Sequence, residues 1–128
     1  MREPEFLSPA IIEQLHADSL ALFGGSAGVR DRGLIESALA SARNTYLYGH
    51  GDVFDIAASY AFHVAEAQAY LDGNKRTAIA AALTFLKGND VKLRVDEGLI
   101  YGAMMAIAEK RMTKSDLAAI FRKHASDL

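Results

Sequence analysis

The 128-residue chain has the length of a single domain, residues 1–128, able to bury about two-thirds of its unfolded surface. Hydrophobic residues at 51% and charged residues at 23% mark a folded globular protein, and a formal charge of −2 argues against the broad basic surface that direct DNA binding requires. The lack of cysteine excludes disulfides, thiolate metal sites and a cysteine nucleophile; the acid-bearing start from Met1 to Glu5 has no signal-peptide core, and no apolar run approaches the ~20 residues a bilayer needs, so a cytoplasmic protein without a membrane segment is expected.

Ser8-Pro9 reads as the start of a first helix, with Ser as N-cap and Pro where a missing N–H costs nothing. Ile11, Ile12, Leu15, Leu20 and Leu22 continue it, and Phe23-Gly24-Gly25 ends it. The loop from Gly24 to Arg30 holds three glycines but lacks the Gly-Lys-Ser/Thr that closes a P-loop, so a chain reversal is expected. Asp31 can cap a second helix that turns Leu34, Ile35, Ala38 and Leu39 inward, and Asn44 to Gly51 reads as a connection. A third helix is expected from about Asp52 to Gln68, rich in alanine and so able to accept close neighbours. The fourth, Asn74 to Lys87, is apolar nearly all round after its first turn and is closed by Gly88-Asn89. Val91 to Val95 alternates but has no obvious partner, so it reads as an extended connection. A fifth helix from about Asp96 to Lys110 and a sixth to about His124, opened by a Thr113/Asp116 capping box, complete the chain. The fold expected is all-α: a compact six-helix bundle around a buried central helix, about 74–87.

One stretch, Gln68 to Leu86, carries the chemistry. Asp72-Gly73 is a tight turn, and Asn74 is the expected N-cap of the central helix. Gly73, Asn74, Lys75, Arg76 and Thr77 then stand where first-turn amides are free and the helix dipole is positive. Lys-Arg in a first turn is ordinarily a solvated face, but here the cations sit against the dipole, a conflict that a bound anion removes. Phosphate suits the site, because Arg76 can grip it in two parallel hydrogen bonds and Lys75 can act as a point charge. Asp72, a hard carboxylate beside those donors, suits Mg²⁺ carried in with a nucleotide.

The run Asp72-Gly73-Asn74-Lys75-Arg76-Thr77-Ala78, followed by Ala82-Leu83-Thr84-Phe85-Leu86, resembles the Fic/Doc (Fido) superfamily, specifically its death-on-curing (Doc) toxin branch. Leu15-His16, the stretch from Phe23 to Asp31 and the stretch from Leu34 to Leu39 resemble that branch's N-terminal half, so the likeness covers nearly the whole chain. The family motif opens with a His, then an aromatic, then an acid, at positions that fall on Gln68, Tyr70 and Asp72. In the family that His is the general base toward the target hydroxyl, and a carboxamide cannot replace it in proton transfer. Lys75 is typical of the Doc branch, which moves a terminal phosphate, whereas the AMP-transferring branch has Gly there and an Arg at the position of Ile79.

The resemblance implies a toxin that uses ATP, or another nucleotide triphosphate, with Mg²⁺ to phosphorylate a hydroxyl of a translation elongation factor or similar protein. It also implies inhibition by an antitoxin whose disordered tail folds as a helix in an apolar groove. Gln68, Asp72, Lys75 and Arg76 are the catalytic candidates; Gly73 to Thr77 are the nucleotide-binding ones, with Asp72 as metal ligand. A catalytically inert nucleotide- or partner-binding module is the alternative that Gln68 raises, and AMP transfer is a third. His63 is turned about 140° from Gln68 on a regular helix, which points to a core or partly buried polar role, and Glu66 is a surrogate base only if its helix ends early. Tyr70 is expected to anchor the loop, with its hydroxyl a lesser candidate for the site, and His16 to pack or hydrogen-bond. His50 and His124 have no metal-ligand spacing, and Ser26, Ser37 and Ser59 lack a triad pattern.

Overall fold

Five of the six helices found among the described residues begin where a short polar side chain takes up a free amide, so their starting points are fixed locally. In the computed structural model, which describes residues 3–127, α1 is Pro9–Phe23, with the Ser8 hydroxyl accepting from the Ile11 amide. Asp31 caps α2, Arg32–Leu47, through the Gly33 amide. Asp52 and Asp55 exchange hydrogen bonds in a capping box that opens α3, Val53–Ala67. Asp96 caps α5, Glu97–Ala108, and Thr113 with Asp116 forms a second box at the start of α6, Lys114–His124. The remaining helix, α4, Asn74–Gly88, has Gly73 in its capping position and no side-chain cap.

The all-α architecture is confirmed, with α3 and α4 as its central pair; α2 and α6 pack on α3, and α1 packs on α4. Ala57, Ala58 and Ala61 of α3 and Ala78, Ala81 and Ala82 of α4 are fully buried. Their small side chains let the two backbones approach closely, and larger ones around them fill the layers: Ile56, Tyr60, Phe85, Leu86 and Phe121 are all inaccessible or nearly so. Two polar staples hold the N-terminal segment against this core. Asn89 exchanges hydrogen bonds with the Glu5 backbone at 2.8 and 3.1 Å, and the buried Tyr60 hydroxyl accepts from the Leu7 amide at 3.0 Å. Among the described residues no helix is long and apolar enough to cross a membrane.

The structure corrects several boundaries. Val91–Leu93 is a strand, β1, not an unpaired connection: it pairs antiparallel with β2, Ala125–Asp127. Its partner lies beyond α6, and Ala-Ser-Asp carries no alternating pattern that would announce a strand. Helix α2 runs on through Asn44 to Leu47, into the stretch expected to be a connection, because Thr45 bonds Ser59 at 2.9 Å and Tyr46 packs on Phe6. Helix α5 stops at Ala108 and not Lys110; the chain turns there, with Lys110 left-handed at φ 62°. Asn74 is the first residue inside α4 and not its N-cap. Helix α4 is also less enclosed than expected: Arg76 is exposed and Ala80, Leu83 and Thr84 are half-buried along one face.

The alanine seam sets a prediction. Ala61→Leu or Ala81→Leu forces a bulky side chain into a filled interface and should lower stability by about 1–3 kcal/mol. Ala40→Leu, on the exposed face of α2, should change it by no more than about 0.5 kcal/mol. Urea denaturation of the three variants checks the contrast.

Candidate functional site

The segment from Gln68 to Gly73 joins α3 to α4, and its shape is set by side chains that turn back on the backbone. Gln68 ends α3 in a left-handed conformation, φ 51° and ψ 42°. Its Nε2 donates to the Ala65 carbonyl at 3.0 Å. The Asn74 carboxamide clamps the loop from inside: Oδ1 accepts from the Tyr70 amide at 3.1 Å, and Nδ2 donates to the Tyr70 carbonyl at 2.9 Å. Nδ2 also makes a long 3.5 Å contact to Gln68 Oε1. Gly73, at φ 77°, makes the left-handed turn into the helix that most side chains resist.

The glycine loop after α1 holds this segment from outside. Arg30 and Asp31 donate their amides to the Ala69 carbonyl at 2.6 and 3.2 Å, and the Leu71 amide donates to the Gly28 carbonyl at 3.1 Å. A Cβ on Gly28 would stand 2.6 Å from Leu71 Cδ1, and its φ of 146° strains any other residue, so glycine permits this close approach. Asp72 is tied on both sides, Oδ2 accepting from the Ser26 amide at 3.2 Å and Oδ1 from the Gly73 amide at 3.1 Å. From α1, His16 stacks on the Tyr70 ring at 3.7 Å, and its Nε2 donates to the Asp72 carbonyl at 2.9 Å. The chain reversal expected of Gly24 to Arg30 is therefore also a buttress.

These contacts enclose a polar cleft of about 420 Å³ at the start of α4, bordered by Gln68, Asp72, Gly73, Lys75 and Arg76 and walled on the far side by Gly24 and Gly25. Since no side chain caps α4, the first-turn amides of Asn74, Lys75 and Arg76 lack helical acceptors. Arg76 is held at the rim by aromatic rings, its guanidinium carbon 3.8 Å from the centre of Phe23 and 5.2 Å from that of Tyr101. Among the described residues neither Lys75 nor Arg76 has an acidic partner. Cations and amide dipoles thus converge on a concavity without a protein anion to neutralise them, apart from Asp72.

Gln68, Asp72, Gly73, Asn74, Lys75 and Arg76 are brought together as expected, but Thr77 is not. It is fully buried on the core side of α4, one step beyond the residues that reach the cleft. The Asn74 side chain is likewise spent on Tyr70, leaving its backbone amide, in the uncapped first turn, as what it has to offer a ligand. Tyr70 is the anchor expected of it, 2% exposed, with a buried hydroxyl that has no partner among the described residues. Phe23 and Tyr101 went unread in the sequence: an aromatic before two glycines looks like a helix end, and nothing local connects position 101 with position 76.

The two stand-in bases lie elsewhere. His63 is outside the polar cleft and meets Lys114 Nζ at 3.1 Å through Nε2. Burial, reinforced by the Lys114 charge and opposed by Glu66, holds its pKa below the usual imidazole value. Glu66 is exposed and likewise stands outside that cleft. Among the described residues no cluster of three or more His, Cys, Asp or Glu could hold a metal ion by itself. Asp72 alone fits the pattern of Mg²⁺, which takes one or two carboxylates and fills its remaining positions with phosphate oxygens and water.

A model of the Fic/DOC family matches residues 6–86, the span from the N-terminal segment to the body of α4. A protein named Toxin Doc, from Mycolicibacterium smegmatis, is 46% identical over 85 residues, covering 64% of this chain and 64% of that protein. One named Protein kinase doc, from Escherichia phage P1, is 32% identical over 88 residues, covering 68% of this chain and 70% of that protein. The matched spans are thus about two-thirds of the relatives' lengths.

His63 generates a pH prediction. Its imidazole binds a proton less readily folded than unfolded, so stability falls as pH drops through about 6.5 toward the lower native value. His63→Gln removes this contribution. Urea midpoints at pH 7.5 and 5.5 should therefore converge more in the variant than in the native protein.

Proposed function

The chain belongs to the Fic/DOC family, and from that membership and the form of the cleft we propose a Doc-like toxin that transfers the terminal phosphoryl group of ATP, or another nucleotide triphosphate, to a hydroxyl of a cytoplasmic protein of the translation-factor class. One observation carries the proposal: an uncapped helix N-terminus with two unpaired cations opens into a polar cleft of about 420 Å³. That arrangement stabilises negative charge, and its volume suits a polyphosphate better than a single carboxylate.

In this reading the amides of Asn74, Lys75 and Arg76 bind phosphate oxygens, while Lys75 and Arg76 neutralise charge that builds up during transfer. The rings of Phe23 and Tyr101 hold the guanidinium of Arg76 in place beforehand. Asp72 would hold Mg²⁺ against the phosphates, since its carboxylate would otherwise repel them. Mg²⁺ there would supply further neutralisation of phosphate charge. Gln68, at the mouth of the cleft, orients the acceptor hydroxyl through its carboxamide. It takes no proton, so with neither His63 nor Glu66 in the cleft the hydroxyl proton passes to an oxygen of the transferred phosphoryl group or to water as the new O–P bond forms and ADP leaves. Phosphoryl transfer tolerates this better than most reactions, because its loose transition state depends on positioning and charge more than on strong base catalysis. At the position where AMP-transferring relatives carry a second Arg, Ile79 is buried, which disfavours AMP transfer.

Relatives carrying the names Toxin Doc and Protein kinase doc support an antitoxin as partner. An amphipathic helix from its tail would suit the roughly 400 Å³ groove between α1, α4 and α5, where Leu15, Leu22 and Ile79 give an apolar wall beside Arg76. A second reading, an inert nucleotide-binding module, is favoured by the engagement of the Gln68 amide with Ala65 and Asn74.

With radiolabelled ATP and a panel of purified translation factors, the native protein should transfer slowly. Gln68→His should raise the rate at least about tenfold, and Arg76→Ala should lower it by about a hundredfold. Absence of transfer by both the native and the Gln68→His proteins would reject the kinase reading. ATP binding by calorimetry without turnover would then establish the inert module, and absent binding would remove both.

A further inference from the structure

A third and larger concavity, about 660 Å³, lies between α3, α5 and the start of α6. Its apolar lining comes from Phe62 and Ala65 on α3, Met104 and Ile107 on α5, and Met112 in the turn before α6. Methionines adapt their shape to an apolar guest, and a concave apolar surface of this kind marks a binding site more often than an idle one. Its rim is basic. Lys75, Lys110 and Lys114 face one acid, Glu66, although the chain as a whole carries a formal charge of −2. Among the described residues Lys75 and Lys110 make no ion pair. Lys114 is held over the Phe62 ring at 5.4 Å. Gln68 and Lys75 border both this groove and the polar cleft, so the two concavities share a wall.

We propose that this groove docks the acceptor protein through a short segment combining apolar side chains with Asp or Glu, and so brings its hydroxyl past Gln68 into the polar cleft. The proposal rests on reading the polar cleft as the site of phosphoryl transfer. Apolar contacts with Phe62, Met104, Ile107 and Met112 supply affinity, and the three lysines select the sign of the partner's charge. A groove of this volume takes a few side chains, so the occupant is a stretch of chain and not a domain face. Groove contacts are made equally before and during transfer, so they lower KM and leave kcat unchanged.

The test uses protein with labelled Met and Ile methyl groups and three degenerate synthetic peptide pools with a central Thr. One pool flanks it with Leu or Phe and Asp or Glu, the second with Leu or Phe and Lys or Arg, the third with Ser or Asn and Asp or Glu. The first pool alone should shift the methyl resonances of Met104, Ile107 and Met112, leaving that of Ile79 in place. Lys110→Glu/Lys114→Glu should weaken this binding about tenfold or more at low salt while ATP affinity is unchanged; Lys110→Glu alone, in an exposed turn, should weaken it to a smaller extent and guards against a folding defect. With Gln68→His protein and radiolabelled ATP, the first pool should be modified, and the double charge reversal should raise KM and spare kcat. The proposal is overturned if no pool moves the groove methyls, if the basic pool binds as well, or if charge reversal has no effect. It is also overturned if the bound pool blocks transfer instead of accepting it, or if the methyls shift with protein concentration alone, which would put a second copy in the groove. Intact ATP binding alongside any of these results removes the docking proposal and leaves the cleft's reading standing. Failure to bind ATP, by contrast, removes the reading of the cleft and the acceptor role with it.

Discussion

The first turn of α4 has no side-chain cap, and the cleft depends on that omission. Ser8, Asp31, Asp52, Asp96 and Thr113 each close the start of their own helix. At α4 the residue in that position is Gly73, which has nothing to offer, and the following Asn74 spends its carboxamide on Tyr70. Capping side chains are worth about 1 kcal/mol each, so leaving one out sacrifices stability at the centre of the fold. Placing Lys75 and Arg76 against a positive dipole adds to the cost. Both choices become favourable when an anion occupies the site.

Such a site needs a rigid frame, since amides and cations aimed at a ligand contribute most when they do not have to move to meet it. The frame comes from the N-terminal third of the chain. His16, Ser26, Gly28, Arg30 and Asp31 all bond the segment between Ala69 and Asp72, mostly through backbone groups that are indifferent to side-chain rotamers. The match to the family spans 6–86, and so includes this frame as well as the motif it supports. Arg76 receives its own support from the rings of Phe23, at the end of α1, and Tyr101, on α5. Three helices therefore meet at a single guanidinium.

Charge is distributed to the same end. The chain has a formal charge of −2, yet Lys75, Arg76, Lys110 and Lys114 gather along one side where α3, α4, α5 and α6 approach one another. Exposed pairs such as Arg32 with Glu13 and Arg122 with Asp52 lie away from it, and exposed pairs of this kind contribute little to stability. Unpaired cations near shared walls matter more, because local fields draw in anionic partners even when the net charge repels them. Gln68 sits on that wall in a strained left-handed turn, a conformation that side chains other than Gly, Asn and Asp adopt at a cost.

Local rules alone placed the helix starts, the alanine-rich central pair and the cations beside the free first-turn amides after Gly73, because caps, apolar period and dipole are properties of neighbours in the chain. They were weakest where a residue's environment comes from far away. The β1 strand found its partner more than 30 residues later, and α2 was carried to Leu47 by contacts with Phe6 and Ser59. Which way Thr77 and Arg76 face was settled by how α4 is rotated against α1, α3 and α5, and rotation about a helix axis is a matter of packing. A residue type and its place in a turn announce what a side chain can bind; whether it reaches the cleft or the core is decided when the helices close on one another.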